Sequence, residues 1–403
     1  MKKLLKQAGM AKSIDACENK IERYYRHIFK SDKYILDLIK DLKVDNNLKW
    51  YKTHMAYYSK DRLYEFGTPI SLIKYKPLSF LEKIRFGKSI LKIKAIKDYK
   101  SLETITAEEW FIKQCGKNIY EKIWEPLLIS KFGIAKEKIS MAWLWKKINL
   151  RSSSGKLESE ELGYFKGSFS ALTDSLEKEL LKKGCNFFYN SNIKNIRKVE
   201  KKWIIEEENG IKAEYDSIVS TIPYNDSLRL FNKFLSNNEK QKMQSLEYTS
   251  AKILILFSKE KFSNYYWMNI GDKEFPFGGI IEHTNMIDKK EYADTNIIYI
   301  SKYLYETDPD YKKSKEELFE EYEPYLKKIN PRFNKNNIVR IECFEEKYAQ
   351  PIIKTNYSDN LLKTNMEKEG LYICTMAQIY PEDRGMNYAI REGLKVANII
   401  INK

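Results

Sequence analysis

The stretch that decides the fold is the last one, residues 371–401, which reads LYICTMAQIYPEDRGMNYAIREGLKVANIII. Residues 371–374 form a short apolar run that is typical of a strand, and a polar loop follows it. From Met386 onward, apolar residues recur every three or four positions, which predicts a helix with one buried face. These residues are Ala389, Ile390, Leu394, Ala397 and Ile401.

The start of this helix is predicted to bind an electron-rich group. The first N–H groups of a helix have no partner within it, and this end carries a partial positive charge. Gly385 has no Cβ that would block a close approach. The same pattern also fits an ordinary strand–helix unit with acidic residues before the helix. The stretch alone leaves both interpretations open.

The composition limits the classes of protein that the chain can belong to. Its 403 residues include 71 Lys and Arg against 56 Asp and Glu, a net charge of +15. This charge permits an anionic partner such as a nucleotide or an acidic lipid surface. Because Lys is spread along the whole chain, we expect no nucleic-acid partner. The five cysteines are scattered without a CxxC pair, which indicates reduced thiols and a cytoplasmic protein.

Residues 20–150 are predicted to be mainly helical. The helix-start signals are the capping-box pairs Ser79 with Glu82 and Thr106 with Glu109, Ser31 as an N-cap, and Thr68 followed by Pro69. Pro126 is expected to end a helical run. No apolar run is long enough to cross a bilayer, and the N-terminus has no signal-peptide core, so a soluble chain is expected.

After Gly184 the apolar period changes to that of strands. The predicted strands lie at 187–189, 193–199, 203–207, 211–215 and 217–221, and Asn209–Gly210 is a strong hairpin turn. A second strand-rich region covers 251–304. Helices and strands therefore interleave, which predicts an α/β fold with mixed α+β character.

Several common sites are excluded by the residues themselves. The chain has no GxGxxG or GxxxxGK[ST] loop for a phosphate and no GxSxG elbow. Only His27, His54 and His283 are available as imidazoles, and none has metal-ligand spacing, so no metal site is expected. Residues 74–100 hold eight Lys and one Arg between apolar residues. This segment fits either a surface that rests on acidic lipid or a Lys-rich face over a packed core.

His27 closes a run of aromatic and cationic residues, Tyr24–Tyr25–Arg26–His27. Such a cluster is suited to stacking on a planar anionic ring or to donating hydrogen bonds to it. A structural histidine with satisfied hydrogen bonds is the alternative.

Three ordered motifs together resemble the FAD-dependent amine oxidase/protoporphyrinogen oxidase-like flavoproteins. Residues 9–13 (GMAKS) with 21–29 (IERYYRHIF) resemble the glycine motif and the strand after it. Residues 123–145 resemble the middle of the family, and 376–389 (MAQIYPEDRGMNYA) resemble its flavin-facing C-terminal motif. The resemblance covers essentially the whole chain.

The resemblance implies FAD as the cofactor and assigns residues to it. Gly9, Met10 and Ala11 would line the ribose and pyrophosphate, Arg26 and His27 would approach the flavin ring, Ile193 would meet the adenine through its backbone, and Thr221 and Pro223 would follow the return strand. Gly385, Met386 and Asn387 would place their amides at the flavin pyrimidine edge, with Glu382, Asp383 and Arg384 completing the set. His27 is the first candidate for a catalytic side chain.

The resemblance also implies two entwined domains. A Rossmann-like FAD-binding domain would take residues 1–30, 160–225 and 365–403, and a sheet-plus-helix substrate domain would take 31–159 and 226–364. The family's N-terminal GxGxxG βαβ unit is not found in the sequence, so the Rossmann-like domain is expected to be incomplete. A late start assignment, a separately encoded N-terminal piece and a decayed gene copy each explain this. The chain alone is therefore expected to bind FAD poorly.

The expected function is hydride transfer from a C–H or C–N bond of an apolar or cyclic small molecule to flavin N5. One alternative is a non-redox flavin mutase that acts on nucleotide sugars, similar to UDP-galactopyranose mutase. A truncated remnant without catalytic activity is another. The expected location is the cytoplasm, with peripheral contact to the acidic inner face of the membrane as an open possibility.

Overall fold

The computed structural model describes residues 9–152 and 160–402. In chain order the strands are β1 (Ser13–Ala16), β2 (Asn19–Glu22), β3 (Leu48–Thr53), β4 (Met55–Ser59), β5 (Arg62–Glu65), β6 (Glu160–Phe165), β7 (Ile193–Val199), β8 (Lys202–Glu207), β9 (Lys212–Tyr215), β10 (Ile218–Ser220), β11 (Tyr248–Ser258), β12 (Trp267–Ile270), β13 (Gly279–Glu282), β14 (Asn296–Leu304), β15 (Ile338–Pro351) and β16 (Leu371–Ile373).

The α-helices lie between groups of strands, and six of them follow one another between β5 and β6. They are α1 (Lys33–Asp41), α2 (Pro69–Lys74), α3 (Phe80–Ala95), α4 (Ala107–Cys115), α5 (Lys117–Ile119), α6 (Glu125–Phe132), α7 (Met141–Ser152), α8 (Phe169–Lys182), α9 (Tyr224–Phe231), α10 (Asn237–Ser245), α11 (Lys315–Ile329) and α12 (Met386–Ile401). Helices and both parallel and antiparallel strand pairs are present, so the predicted α/β class with mixed character is confirmed.

A seven-stranded sheet is the largest single element, in the order β15-β11-β14-β13-β12-β4-β5. Only the β12–β4 pair within it is parallel. Along β11, Ile253 and Ile255 pack into one hydrophobic cluster, whereas Leu254 and Leu256 pack into another. The sheet is therefore buried on both faces, which explains why β11 has a continuous apolar sequence rather than an alternating one.

A layer of helices carries a third hydrophobic cluster, which includes Phe111, Trp124 and Trp143. Its helix starts were predicted correctly, because Ser79 and Thr106 both form reciprocal capping boxes. Two predictions were wrong. The N-cap of α1 is Asp32 rather than Ser31. Pro126 lies in the first turn of α6, directly after a π-helical turn at Tyr120–Trp124, instead of ending a helical run.

Small sheets complete the fold. β10 and β16 form a parallel pair, and β7, β8 and β9 form an antiparallel meander whose β8–β9 turn contains Gly210 at φ +87°. The predicted strand at 187–189 is wrong: this segment has no strand pairing among the described residues, and Phe188 is 57% exposed. The division into two domains stays a prediction, although strands from 55–65 and 248–351 do share one sheet.

Within the described residues, every helix is too short or too polar to cross a membrane. All five cysteines are free thiols, as the sequence predicted. The C-terminal stretch folds as expected, with strand β16 followed by a loop and helix α12.

Candidate functional site

The start of α12 lies open, as its sequence predicted. Gly385 is the N-cap residue with an extended backbone (φ 179°), and no side chain caps the helix. A Cβ at Gly385 would meet nothing within 4 Å. Asn387 is buried and its Oδ1 accepts a hydrogen bond from the Ile35 N–H (3.2 Å), which fixes α12 against α1. The Oδ1 atom of Asn387 therefore serves the packing of the helices.

Asp383 anchors the loop before this helix. Its Oδ2 accepts hydrogen bonds from Lys131 Nζ at 2.5 Å and from Lys147 Nζ at 2.9 Å. Burial raises the pKa of Asp383, but the charges of Lys131 and Lys147 outweigh it and hold the pKa well below its usual range. Both ammonium groups also lie over the ring of Trp143. Asp383 is thus ionised and positions two cations.

Arg384 points its guanidinium in a fixed direction. Its Nε donates to Gln350 Oε1 (2.9 Å), and its Nη2 donates to the Tyr303 hydroxyl (3.0 Å). Burial lowers the pKa of Arg384, but Tyr303 and Asp383 raise it above the ordinary value. The group is a permanently charged donor inside the protein.

Arg26 is a second buried cation in the same neighbourhood. Burial, followed by the repulsion from Arg384, lowers the pKa of its guanidinium to about 10. Nη2 of Arg26 donates to the carbonyl of Met10, whereas its buried Nε has no hydrogen-bond partner in the described part of the chain. Two buried guanidiniums that repel each other, one with an unpaired donor, favour an electron-rich ligand between or beside them.

His27 lies in an aromatic cluster. Its Nδ1 is 3.2 Å from the Tyr266 hydroxyl, and its ring makes edge contacts with Phe29 and Trp267. Tyr25 packs edge-on against Trp267 at 4.9 Å. The arrangement holds the imidazole in place and leaves both interpretations of the sequence, a ring-facing residue and a structural one, possible for His27.

The remaining predicted residues are more widely distributed. Glu382 is bound by Lys146 (3.4 Å) and Arg391 (3.2 Å), which indicates a structural role in the loop. Gly9, Met10 and Ala11 form one 3₁₀ turn, in which Gly9 has φ +50°. Ile193 begins β7, Thr221 follows β10, and Pro223 is the N-cap of α9. Their roles toward a cofactor stay predictions.

A cavity of about 1440 Å³ adjoins these residues. Its walls include Tyr25, Lys131, Trp143, Lys147, Trp267 and Tyr303 from the cluster just described. Further walls come from α2 and α3, including Ile70, Leu91 and Lys94. A cavity of this size holds an organic molecule larger than an amino acid.

Sequence reasoning missed Lys131, Lys147, Gln350 and Tyr303 as members of the site. Each lies on a helix or strand far along the chain from Asp383 and Arg384, and only the tertiary fold brings them together. The one signal in the sequence was the pair Asp383–Arg384 itself. When such a pair is buried, the carboxylate requires cations and the guanidinium requires hydrogen-bond acceptors.

The chain's own residues fit FAD. The open space at Gly385, the uncapped N–H groups of α12 and the unpaired donor of Arg26 together provide room and hydrogen-bond donors for the electron-rich edge of a flavin. Met10 connects this cluster to the turn at Gly9 through the hydrogen bond of Arg26.

Comparisons with known proteins show the family of the chain and its fold. Residues 13–401 match the family described as flavin containing amine oxidoreductase. A coproporphyrinogen III oxidase of Staphylococcus aureus (strain NCTC 8325 / PS 47) is 21% identical over 261 residues. That alignment covers 57% of this chain and 55% of the oxidase, so the chain matches about half the length of this curated relative.

Two solved structures show the fold. A protein from Exiguobacterium sp. 255-15 that is assigned as a protoporphyrinogen oxidase superimposes with a TM-score of 0.77 at 14% identity, over 99% of this chain and 91% of that one. A reduced UDP-galactopyranose mutase gives 0.73 at 14% identity, over 98% and 87%. At these identities the likeness concerns the fold alone.

Proposed function

Because the chain belongs to the flavin-containing amine oxidoreductase family, we propose that it is an FAD-dependent oxidoreductase that removes a hydride from a small organic molecule. When bound, FAD supplies the chemistry by accepting the hydride at its N5 atom. The protein residues bind and orient the two reactants and stabilise the charge that reduction adds to the ring.

One observation carries this proposal: Arg26 and Arg384 lie close enough to repel each other, Arg384 directly precedes the uncapped start of α12, and its partner Tyr303 lines the large cavity. Reduction of a flavin builds negative charge at its pyrimidine edge, and fixed donors at that edge stabilise the charge without reorganising. Arg384 is suited to this task because Gln350 and Tyr303 hold its orientation. The aromatic walls Tyr25, Trp143 and Trp267 suit an apolar or cyclic substrate.

The proposal is tested by flavin binding and flavin reduction. The purified chain is incubated with FAD, and binding is followed by the loss of flavin fluorescence and the shift of the absorption band near 450 nm. Anaerobic bleaching of that band by a panel of amines and of cyclic, partly reduced compounds then reports hydride transfer. Failure to bind FAD under every condition, including those with the additional polypeptide described below, would support the catalytically inactive remnant instead.

We propose His27 as the catalytic candidate, because its ring packs edge-on against Trp267 of the cavity wall. Once a reducing substrate is known, His27→Ala should slow the anaerobic reduction of the flavin, and Tyr266→Phe, which removes only its hydroxyl partner, should have a smaller effect. An unchanged rate in His27→Ala would reduce His27 to a structural residue.

A non-redox mutase that acts on nucleotide sugars is the second candidate. Its support is the likeness in fold to UDP-galactopyranose mutase together with Lys30, Lys52 and Lys94 in the cavity wall, since cations suit a diphosphate. Incubation of the chemically reduced flavoprotein with UDP-galactopyranose separates the candidates. A mutase isomerises the sugar without net oxidation of the flavin, whereas an oxidoreductase leaves the sugar unchanged.

We also propose that a polypeptide with a GxGxxG βαβ unit completes the cofactor site. Its support is an exposed apolar region within residues 160–225, which were predicted to belong to the Rossmann-like domain. In this region Leu181, Phe187 and Phe188 are all solvent-exposed. Flavin retention should rise when the chain is co-expressed with the protein segment encoded directly upstream. Equal retention by the chain alone would argue against this partner. We further propose that the protein is cytoplasmic and that it contacts the inner face of the membrane peripherally.

A further inference from the structure

We propose that α2, α3 and the loop between them form a docking face for an anionic lipid bilayer, and that the cavity opens onto that bilayer. We define the docking face by six apolar side chains: Ile70, Ile73, Phe80, Leu81, Ile84 and Leu91. The binding of lipid is independent of catalysis. The second part, that the substrate enters from the lipid, rests on the proposed function.

The docking face is unusual in how much apolar surface it exposes. Phe80 is 76% exposed, Ile73 and Leu91 are each 69% exposed, and Leu81 is 67% exposed. Single exposed apolar residues are common on soluble proteins, but a group of large ones on neighbouring helices marks a surface that another apolar phase covers. Folding alone does not explain them, because α3 already buries Phe86 and Ile93 in the core.

The exposed side chains continue into the cavity wall. Positions 80, 84, 87, 91 and 94 of α3 are spaced by four, three, four and three residues, so they lie along one side of the helix. Phe80 and Ile84 at the start of this stripe are exposed, whereas Gly87, Leu91 and Lys94 line the cavity. On α2, Ile70 likewise is exposed and lines the cavity. The docking face therefore borders the cavity mouth.

The charge around the docking face complements anionic lipid. Residues 74–100 contain eight Lys and Arg85 against only Glu82 and Asp98. Both acidic side chains are engaged locally: Glu82 closes the capping box of α3, and Asp98 accepts a hydrogen bond from the Lys100 N–H at 3.0 Å. Arg85, Lys88 and Lys92 are exposed beside the apolar stripe. Apolar side chains surrounded by cations are the pattern of an interfacial membrane contact.

A membrane-bordered mouth suits a particular class of substrate. The cavity of about 1440 Å³ has apolar side chains of α3 in its wall and also contains Lys131 and Lys147, whose side chains are only 16% and 25% exposed. A molecule with an apolar body and an acceptor group would fit both parts. Such a molecule partitions into the leaflet, so a docked enzyme would receive it directly from the lipid.

Vesicle co-sedimentation tests the docking. The full chain is mixed with vesicles of phosphatidylcholine alone or with 40% phosphatidylglycerol, without added flavin, since binding does not depend on turnover. We expect binding to the anionic vesicles that weakens with salt. The double variants Phe80→Ser/Leu81→Ser and Arg85→Glu/Lys88→Glu should each weaken it at least tenfold. All four substituted residues are exposed on the surface of α3. Thermal unfolding at the same temperature as the original chain would confirm that the variants are folded.

Matched controls use equally exposed residues elsewhere. Val339→Ser removes an exposed apolar side chain from β15, at the far edge of the seven-stranded sheet from β5. Lys201→Glu/Lys233→Glu makes the same change in net charge at other exposed positions. Both controls should bind as the original chain does. Equal binding of all variants, or equal loss in variants and controls, would overturn the docking face.

A fluorescent label locates the cavity mouth. The background is Cys17→Ser/Cys185→Ser, which removes the two exposed thiols. In this background an environment-sensitive dye is attached through Ile84→Cys, Leu91→Cys or Val339→Cys. On anionic vesicles the dye at 84 and 91 should shift to the blue and be quenched by lipids with nitroxide-labelled chains, and the dye at 339 should not. Quenching at 84 without quenching at 91 would show that the cavity does not open onto the bilayer. None of these measurements requires flavin binding, so the docking face can be disproved while the proposed function stands, and the reverse.

Discussion

Lys131 and Asp383 connect the helical layer to the C-terminal loop through an ion pair with an Nζ–Oδ2 distance of 2.5 Å, in which the two side chains are only 16% and 22% exposed. Lys131 lies near the end of α6, and Asp383 lies three residues before α12. Lys147 from α7 binds the same carboxylate oxygen at 2.9 Å. One carboxylate therefore fixes the position of three elements around the cavity.

Asp383→Asn is expected to destabilise the protein by about 1–3 kcal/mol, because it leaves the largely buried ammonium group of Lys131 without its charged partner. Urea unfolding at pH 7 measures this. The control is Asp216→Asn, whose ion pair with Lys202 is exposed and should be worth less than about 1 kcal/mol. Because the pKa of Asp383 lies below its usual range in the folded protein, its contribution is present above about pH 4 and is lost as the pH falls below it. A loss as small as that of the control would show that the pair does not hold the loop.

Gly385→Ala should separate ligand binding from folding. The backbone at Gly385 is extended and a Cβ would meet nothing within 4 Å, so the unliganded protein should keep its stability to within about 0.5 kcal/mol. The added methyl group would occupy the space in which the flavin edge approaches the helix start, and we expect FAD affinity to fall at least tenfold. Flavin fluorescence titration and thermal unfolding measure the two effects.

The control for this substitution lies in the same helix. Gly393 is interior to α12 and also has open space where a Cβ would stand. Gly393→Ala should stabilise the protein by up to about 1 kcal/mol through helix propensity and leave FAD affinity unchanged. Equal FAD affinity in both variants would contradict the role of Gly385.

The sequence predicted the local elements well and the site only in part. Capping boxes such as Thr106 with Glu109 work over three residues, so the sequence contains the whole interaction. The segment at 187–189 failed because a strand needs a partner, and an aromatic run does not say whether one is present. Arg26 and Arg384 were singled out from their sequence surroundings and assigned to the cofactor by resemblance, whereas Lys131 could be found only once the chain was folded, because no spacing in the sequence relates it to Asp383.

Gly278→Ala should shift the wall of the cavity. A Cβ at Gly278 would lie 2.5 Å from the Cβ and 2.9 Å from the Cα of Ser130, so α6 would have to move away from the sheet. Ser130 precedes Lys131, and we expect a loss of about 1–3 kcal/mol in stability together with weaker FAD binding. Gly87→Ala, also in the cavity wall but with open space at its Cβ, should not destabilise the protein. A fully stable Gly278→Ala variant would mean that Ser130 of α6 does not pack closely against Gly278.

The stability of the protein should fall with decreasing pH because of His283. Its imidazole is buried among Tyr164, Tyr292 and Tyr299, with Nε2 2.8 Å from the Tyr292 hydroxyl. Burial lowers the pKa of His283 to about 3, whereas an unfolded histidine titrates near 6.5. Between these values the unfolded chain binds one more proton than the folded one, so this residue stabilises the fold above about pH 6.5 and loses its contribution as the pH falls toward 3.

The free energy of unfolding should therefore fall by about 1.4 kcal/mol for each pH unit between pH 5.5 and 4.5 because of His283. Urea unfolding measures the free energy of unfolding across that range. In His283→Gln its dependence on pH should be shallower by this amount than in the original chain. In the control His54→Gln, which removes an imidazole that is 57% exposed, the original dependence should persist. Equal slopes in the two variants would show that His283 takes up its proton without unfolding.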